Sequence, residues 1–362
     1  MTTTFTHDTC PATTLTALDR IGFELGWDYA HHGVQPPAPY ADEASSLRDG
    51  LRAGAATFGT RTLMPTRHVR KWLQLRLHAW LRGRSVELMQ VTPSHLRQIE
   101  ASHCPVTRIA LSAATLQGSD ASVDRVRNDA GYAAGNLVMM STQANHAKAA
   151  HGFRDALRIV RDLETARAGA GGGLTVAQWA RVAVLCSFVE PLSHEEASAL
   201  PLLVLPPNRL RLFNPVQAVQ AFVSRQLLTA GWSQRIARFE VLLPGKPARR
   251  AFQMFFHALL PRVLEAGRCD EPQRARWAVE DAWRNPLVMK RWRAFARLLT
   301  PAQCEALLAR AAAKGLATQR IEQIGTAQAT EGWNLDSRGY VPHAVVARRP
   351  FAMPHQATLP LM

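Results

Sequence analysis

Apolar and polar positions alternate with a helical period along most of this chain. The period is clearest over residues 66–82, where Trp72 and Trp80 are eight positions apart on one predicted face and basic side chains are interleaved with apolar ones. Several helical patterns begin with Pro, as at Thr92-Pro93, which is typical of a helix start. Further helices are predicted over residues 13–26, 44–55, 92–102, 154–168, 176–188, 215–230, 249–266, 271–283, 286–299 and 301–314. The pattern predicts a mainly α-helical protein.

One stretch, residues 122–148, departs from this helical pattern. Val123 and Val126 alternate with polar residues, as expected for a short strand. A loop rich in Gly, Asn and Asp follows, and a second apolar run covers residues 137–140. From Thr142 the pattern is again helical and rich in alanine. The stretch therefore predicts a strand, a loop, a second strand and a helix, inserted in an N-terminal helical region.

The clearest boundary in the sequence is a Gly-rich run, because such a composition behaves as flexible coil. We predict that this run links two helical domains, and that both ends of the chain form poorly ordered tails. The predicted divisions are a disordered tail at 1–12, an N-terminal helical region at 13–168 with the ββα segment at 101–151, a linker at 169–173, an all-α C-terminal domain at 174–324 and a poorly ordered tail at 325–362.

Polar side chains occupy particular places in the strand-loop-strand-helix segment. Asp124 lies on the first predicted strand, Asn136 opens the second, and Asn145 lies in the first turns of the helix, three residues before Lys148. This arrangement resembles the ββα-metal core of the HNH endonuclease superfamily, over roughly a seventh of the chain. In that family an acid on the first strand and a His or Asn on the helix surround a divalent metal ion.

The resemblance implies a fold, a cofactor and a set of site residues. It implies a ββα-metal core in which Asp124 and Asn145 hold Mg²⁺ (or Mn²⁺). It also implies catalytic roles for Asp124, Arg125, Asn136 and His146, with Asn136 orienting the loop. If the helix register is shifted by one residue, His146 takes the place of Asn145 as the metal ligand.

The sequence departs from the family at the positions of a structural zinc site. Many family members have two Cys-x-x-Cys pairs, where this chain has Cys104-Pro-Val-Thr107 and Ser141-Thr-Gln-Ala144. A tetrahedral zinc site needs four ligands, and one thiol cannot supply them. We therefore predict no structural zinc.

Arg125 is a second departure, because the family usually places a histidine directly after the acid as its general base. Arginine is always protonated and cannot take a proton from water. Arg125 could instead donate two hydrogen bonds to the scissile phosphate. His103, His146 and His151 are alternative bases, although each also fits a surface or packing role. The identity of the base stays open at this point.

The charge of the chain favours a polyanionic partner. There are 43 Lys and Arg residues against 28 Asp and Glu residues, which gives a net charge of +15 and a pI of about 10.7. A GC-rich genome would explain the preference for Arg over Lys, but not the excess of bases over acids. We expect DNA as the partner, with RNA as the open alternative. The predicted contacts are Arg125, Arg127 and Lys148 in the ββα segment, and Arg67, Arg70 and Lys71 in the helix before it.

Cysteine usage and hydropathy predict a cytoplasmic location. The five cysteines are scattered and form no Cys-x-x-Cys pair, which is typical of a reducing compartment rather than of a disulfide framework. The first residues lack the pattern of a signal peptide, and no apolar stretch approaches the length of a membrane span. We expect no membrane partner.

Three functions follow from these patterns. The first is a metal-dependent DNA endonuclease of HNH type that hydrolyses phosphodiester bonds. The second is a ββα DNA-binding protein that has lost cleavage, which Arg125 suggests. The third is a helical scaffold with an incidental hairpin, for which nucleic-acid binding would be weak and insensitive to salt.

Overall fold

A computed structural model describes residues 16–42, 44–167, 169–267, 271–316 and 329–342. Within these residues the protein is mainly helical, as predicted, with fifteen α-helices and two small two-stranded sheets. The elements are α1 (Ala17–His31), α2 (Ala38–Asp42), α3 (Ser46–Phe58), α4 (Arg67–Leu81), α5 (Pro93–Gln98), β1 (Ala121–Arg125), β2 (Leu137–Ser141), α6 (Thr142–Lys148), α7 (Phe153–Thr165), β3 (Ala170–Gly171), β4 (Leu174–Thr175), α8 (Val176–Ser187), α9 (His194–Ala199), α10 (Pro215–Gln226), α11 (Trp232–Val241), α12 (Gly245–Leu264), α13 (Pro272–Ala282), α14 (Pro286–Ala296), α15 (Pro301–Ala313) and a 3-10 turn at Leu335–Ser337. The predicted tail at 1–12 lies outside the described residues.

Side-chain caps fix the starts of most predicted helices. Thr66 accepts a hydrogen bond from the Val69 amide and begins α4, and Thr92 does the same for α5 through the His95 amide. None of the helices in the described ranges combines the length and the apolar character that a membrane crossing needs.

The chain divides into two compact units. Unit 1 contains residues 1–85 and 340–362, and unit 2 contains residues 86–339. The predicted linker at 169–173 therefore falls inside unit 2 rather than between domains.

The predicted linker contains a tight hairpin. Strands β3 and β4 pair around Gly172-Gly173, whose φ angles of 58° and 81° are those of a two-residue turn that favours glycine. The Trp179 indole donates to the Gly171 carbonyl at 2.8 Å and fixes the hairpin to α8. These two glycines are therefore needed for the conformation of the turn. Composition alone predicts a flexible linker at the same place.

Unit 1 depends on a close crossing of α1 and α3. Glycines lie where the two backbones meet. A Cβ at Gly26 would overlap the carbonyl oxygen of Leu47, and a Cβ at Gly50 would overlap the carbonyl oxygen of Phe23. Leu25 and Leu47 are fully buried beside this crossing. The absence of side chains at these two glycines lets the helices approach to backbone contact.

We expect Gly50→Ala to destabilise unit 1 by about 1–3 kcal/mol. At an exposed helix position the same change would stabilise by up to ~1 kcal/mol, because alanine is the better helix former. Here the added methyl meets backbone atoms, which cannot rotate away, so the helices must separate. Urea unfolding monitored by circular dichroism measures the change. The control is Ala55→Gly on the exposed side of α3. Its change in unfolding free energy should reflect only the lower helix propensity of glycine. A stabilising effect of Gly50→Ala would contradict the described crossing.

Unit 2 has a large core that extends across the predicted domain boundary. Aromatic rings of α12 and α14 form its densest part, with centroids of Phe255 and Trp292 5.1 Å apart and those of Phe252 and Phe295 5.3 Å apart. The same core contains Val138 of β2. The ββα segment and the C-terminal helices therefore share one hydrophobic interior.

The segment 329–339 also belongs to unit 2, although the sequence predicts a poorly ordered tail there. The Trp333 side chain is fully buried, and its indole donates to the Ala134 carbonyl at 3.1 Å. The Gly131 amide in turn donates to the Trp333 carbonyl at 2.8 Å. A single large aromatic residue thus anchors a stretch whose Pro and Gly content predicts disorder.

Candidate functional site

The strand, loop, strand and helix predicted from the sequence are present at residues 121–148. β1 and β2 pair antiparallel, with Ser122 opposite Met140 and Asp124 opposite Val138. Ser141 ends β2 and also caps α6, because its hydroxyl accepts a hydrogen bond from the Ala144 amide at 3.2 Å. The helix therefore follows the ribbon without a connecting loop and packs against β1.

A buried ion pair lies between the first strand and the helix. Asp124 is 5 % exposed and Lys148 is 0 % exposed, and the ammonium lies 3.0 Å from Oδ2 of the carboxylate. The ammonium also donates to Oδ1 at 3.3 Å and to the Arg125 carbonyl at 2.9 Å. The Oδ2 contact lacks hydrogen-bond alignment, so it is an electrostatic contact only. Lys148 is thus an internal partner of Asp124, and not the surface phosphate contact predicted from the sequence.

The charge of Asp124 depends on its cationic neighbours. Burial raises the pKa of the Asp124 carboxyl, and Lys148 opposes that rise through both charge and hydrogen bonding, with a smaller contribution from Arg125. Without a positive charge beside it, a carboxylate at this depth would favour its protonated form. A cation at this position is therefore an electrostatic requirement of the anionic site.

The two predicted metal ligands lie on facing surfaces but have different partners. Ser122 and Asp124 are two residues apart on β1 and share one face, and Asn145 and Lys148 share the facing side of α6. Asn145 donates to the Ser122 hydroxyl at 2.7 Å, while Lys148 bonds Asp124. Ser122 is not among the predicted site residues, although its spacing of two residues from Asp124 places it on the same face of β1.

Arg125 braces the loop between the strands. Its Nη1 donates to the carbonyls of Asn128 and Ala130 at 3.1 and 2.7 Å, and its guanidinium lies 5.1 Å from the centre of the Tyr132 ring. These bonds hold the guanidinium against the protein's own backbone. The phosphate role expected for Arg125 stays a prediction.

Asn136 holds the other end of the same loop. Its side-chain oxygen accepts from the Arg127 amide at 2.8 Å, and its amide nitrogen donates to the carbonyls of Arg127 and Gly131 at 3.0 and 3.3 Å. This geometry agrees with the loop-orienting role expected for Asn136.

Arg127 makes two 2.8 Å hydrogen bonds to the Asp129 carboxylate, and these bonds raise the pKa of the Arg127 guanidinium.

None of the three histidines predicted as a general base is hydrogen-bonded to Asp124 among the described residues. His146 is exposed on α6, and the rings of His103 and His151 pack edge-on against tryptophans at centroid distances of 5.5 and 5.7 Å. In the described part of the chain, no group of three or more His, Cys, Asp or Glu side chains is arranged to hold a metal ion. The predicted metal ligands and base stay predictions.

The side chains of Cys104, Thr107 and Ser141, three of the four positions at which the HNH resemblance would place zinc-binding cysteines, lie close together. Ser141 donates to the Cys104 thiol at 3.3 Å, and the hydroxyls of Thr107 and Ser141 are 3.4 Å apart. The Thr107 amide donates to the same thiol at 3.4 Å, and Ala144 is fully buried. Hydrogen bonds thus connect three of these four positions, and the absence of a structural zinc stays a prediction.

The remaining predicted phosphate contacts lie in unit 1. Arg67 and Arg70 are exposed on α4, and Lys71 is half-buried. Further along α4, burial lowers the pKa of the His78 imidazole. The positive charges of Arg82 and Lys71 lower this pKa further, in that order. Positive charge therefore extends along this helix.

Comparisons of the chain with protein-family models, with curated proteins and with solved structures each found no match. The chemistry of the site is therefore inferred from its own side chains.

Proposed function

We propose that this protein binds nucleic acid through exposed basic side chains and that its ββα unit, which resembles that of HNH nucleases, does not cleave it. The proposal rests on the buried Lys148 ammonium, 3.0 Å from the buried Asp124 carboxylate. Asp124 is the residue at which the resemblance expects a metal ion. The Lys148 ammonium occupies the place beside Asp124 where a divalent ion would lie in a nuclease.

The side chains around Asp124, as arranged, do not fit a magnesium ion. Mg²⁺ requires about six oxygen ligands at ~2.0–2.1 Å, several of which are usually water. Water reaches little of a carboxylate that is 5 % exposed, and the Lys148 ammonium lies 3.0 Å from its Oδ2, where a metal ion would bind. Hydrolysis also needs a base within hydrogen-bond reach of the attacking water.

The distribution of charge supports a nucleic-acid partner. Residues 50–86 contain eight Arg and Lys residues and no Asp or Glu, and α4 lies within this stretch. Exposed guanidinium groups release counterions when they neutralise phosphates, which gives affinity that falls steeply with salt. The Arg67 and Arg70 side chains are the proposed phosphate contacts in unit 1.

The test measures binding and cleavage separately with wild-type protein. We expect binding to a labelled DNA duplex in EDTA, with an affinity that falls as salt increases, and no nicking of supercoiled plasmid with Mg²⁺ or Mn²⁺. The Arg67→Gln/Arg70→Gln variant should reduce the salt slope by roughly 2, about 1 for each phosphate that a guanidinium no longer neutralises. Lys314→Gln, at an exposed position beyond α15, is the control. Salt-insensitive or undetectable binding would contradict the proposal.

A metal-dependent endonuclease is the second candidate function. One observation favours it: Asp124 on β1 and Asn145 on α6 belong to facing surfaces, and Oδ2 of Asp124 retains acceptor capacity. In this case DNA binding would have to displace Lys148 from the carboxylate. Metal-dependent nicking by the wild type that is abolished in Asp124→Asn would establish cleavage and overturn the non-cleaving proposal.

A further inference from the structure

Unit 2 contains a polar cavity of about 270 Å³ beside the loop that joins the two strands of the ββα unit. The cavity is lined by Gln90, Ser94, His95, Gln98, Arg209 and Arg211, together with Thr92 and Ala134. Seven of these eight side chains are polar, and none is a carboxylate. The cavity thus collects hydrogen-bond donors and positive charge.

Arg211 forms a fixed part of the wall. It is 7 % exposed, its backbone amide donates to the Gly135 carbonyl at 3.1 Å, and its guanidinium donates to the Ala329 carbonyl. A second guanidinium nitrogen lies 3.5 Å from the side-chain oxygen of Gln90. These described bonds are to neutral oxygens and hold the cationic group in one orientation.

Arg209 stands at the exposed edge of the cavity in an unusual backbone conformation. Its φ of 64° lies in the left-handed region, where glycine or asparagine is the ordinary choice. The turn that contains it is closed by the Leu210 amide, which donates to the Pro207 carbonyl at 3.3 Å. The turn therefore places an exposed arginine in the lining of the cavity.

We propose that this cavity binds the phosphoryl group of a nucleotide. The lining brings two guanidinium groups together, and guanidinium is the side chain whose geometry best matches phosphate oxygens; the Ser94 and Thr92 hydroxyls add polar groups to the same lining. A volume of about 270 Å³ is room for roughly nine water molecules. It is at the small end for ligand sites, which suits one phosphorylated unit rather than a length of polymer. The site is separate from the Asp124–Lys148 pair and does not rest on the function proposed for that pair.

The ligand has two possible sources: a free mononucleotide or the 5′-phosphorylated end of a strand. Titration calorimetry of the full chain with adenosine 5′-monophosphate, and with a short single strand with and without a 5′-phosphate, distinguishes them. Binding of the mononucleotide supports the first source. If only the phosphorylated strand binds, the ligand is the 5′-phosphorylated end of a strand. Failure of every phosphorylated probe to bind the wild type would overturn the proposal.

Two variants test the location of the site. Arg209→Gln removes one guanidinium at an exposed position, and Gln98→Glu adds a negative charge to the lining, so each should weaken binding of the phosphorylated probe about tenfold or more. The control is Arg97→Gln, an exposed α5 residue outside the lining. If Arg209→Gln and Gln98→Glu bind the phosphorylated probe as tightly as the control Arg97→Gln does, the assignment of the site to this cavity is overturned. Duplex binding by the same variants should stay unchanged, which separates this site from the phosphate contacts proposed at Arg67 and Arg70.

Discussion

A Lys148→Met variant is expected to lose about 3–5 kcal/mol of unfolding free energy. The substitution keeps a side chain of similar length but leaves the buried Asp124 carboxylate without its counter-charge, and breaking one side of a buried ion pair typically costs this much. The Arg125 carbonyl loses its 2.9 Å hydrogen bond at the same time. Denaturant unfolding at neutral pH, followed by circular dichroism, measures the decrease in stability.

The double variant Asp124→Leu/Lys148→Met distinguishes removal of the charge partner from disturbed packing. Replacing both members of a buried pair with apolar side chains is often neutral or stabilising, so we expect most of the stability to return. Lys314→Met is the control, since an exposed lysine should change stability by less than ~0.5 kcal/mol. If the double variant is as unstable as Lys148→Met, the ion pair is not the reason for the decrease.

A variant with Thr107→Cys, Ser141→Cys and Ala144→Cys is expected to bind one zinc ion together with the native Cys104. Thiolates bound to zinc at ~2.3 Å lie about 3.8 Å apart, close to the 3.3 and 3.4 Å that now join the side chains of Cys104, Ser141 and Thr107. When the free zinc concentration is a thousandfold above the dissociation constant, zinc binding stabilises the folded protein by about 4 kcal/mol. For a unit of this size the melting temperature should rise by roughly 8–16 °C.

Thermal unfolding with zinc and with EDTA measures this effect, and a chromophoric chelator measures the zinc content. The same variant with Cys104→Ser is the control, because three thiolates leave the tetrahedral site incomplete. Zinc-independent melting of the four-cysteine protein would show that these positions do not form a metal cage. The resemblance to HNH proteins would then lose one of its structural supports.

Much of the secondary structure follows from local sequence. The helical period and the capping residues predict α4 and the helices of the second half of the chain, because each has an apolar face and most have a start signal. Alternation around Val123 predicts β1, and the apolar run at 137–140 predicts β2. The short helices α2, α9 and α11 are not predicted, whereas the equally short α5 and α6 are, because a capping residue marks the start of each.

The partners of the site residues could not be predicted in the same way. Spacing places Asp124 and Lys148 on neighbouring elements, but only burial decides that the ammonium turns inward to the carboxylate. The Gly172-Gly173 turn and the buried Trp333 depend on contacts with other elements, which composition does not reveal. Local pattern therefore predicts where residues lie along an element, and tertiary packing decides what each one contacts.

The Trp333 anchor has a consequence for synthesis of the chain. Its indole bonds to a carbonyl 199 positions earlier, in the loop next to the candidate site. At about 5–20 residues per second, the ribosome needs about 10–40 s to make the intervening chain. The loop then stays incomplete until the last part of unit 2 emerges, so a prematurely terminated product would contain every motif residue and still lack a finished site.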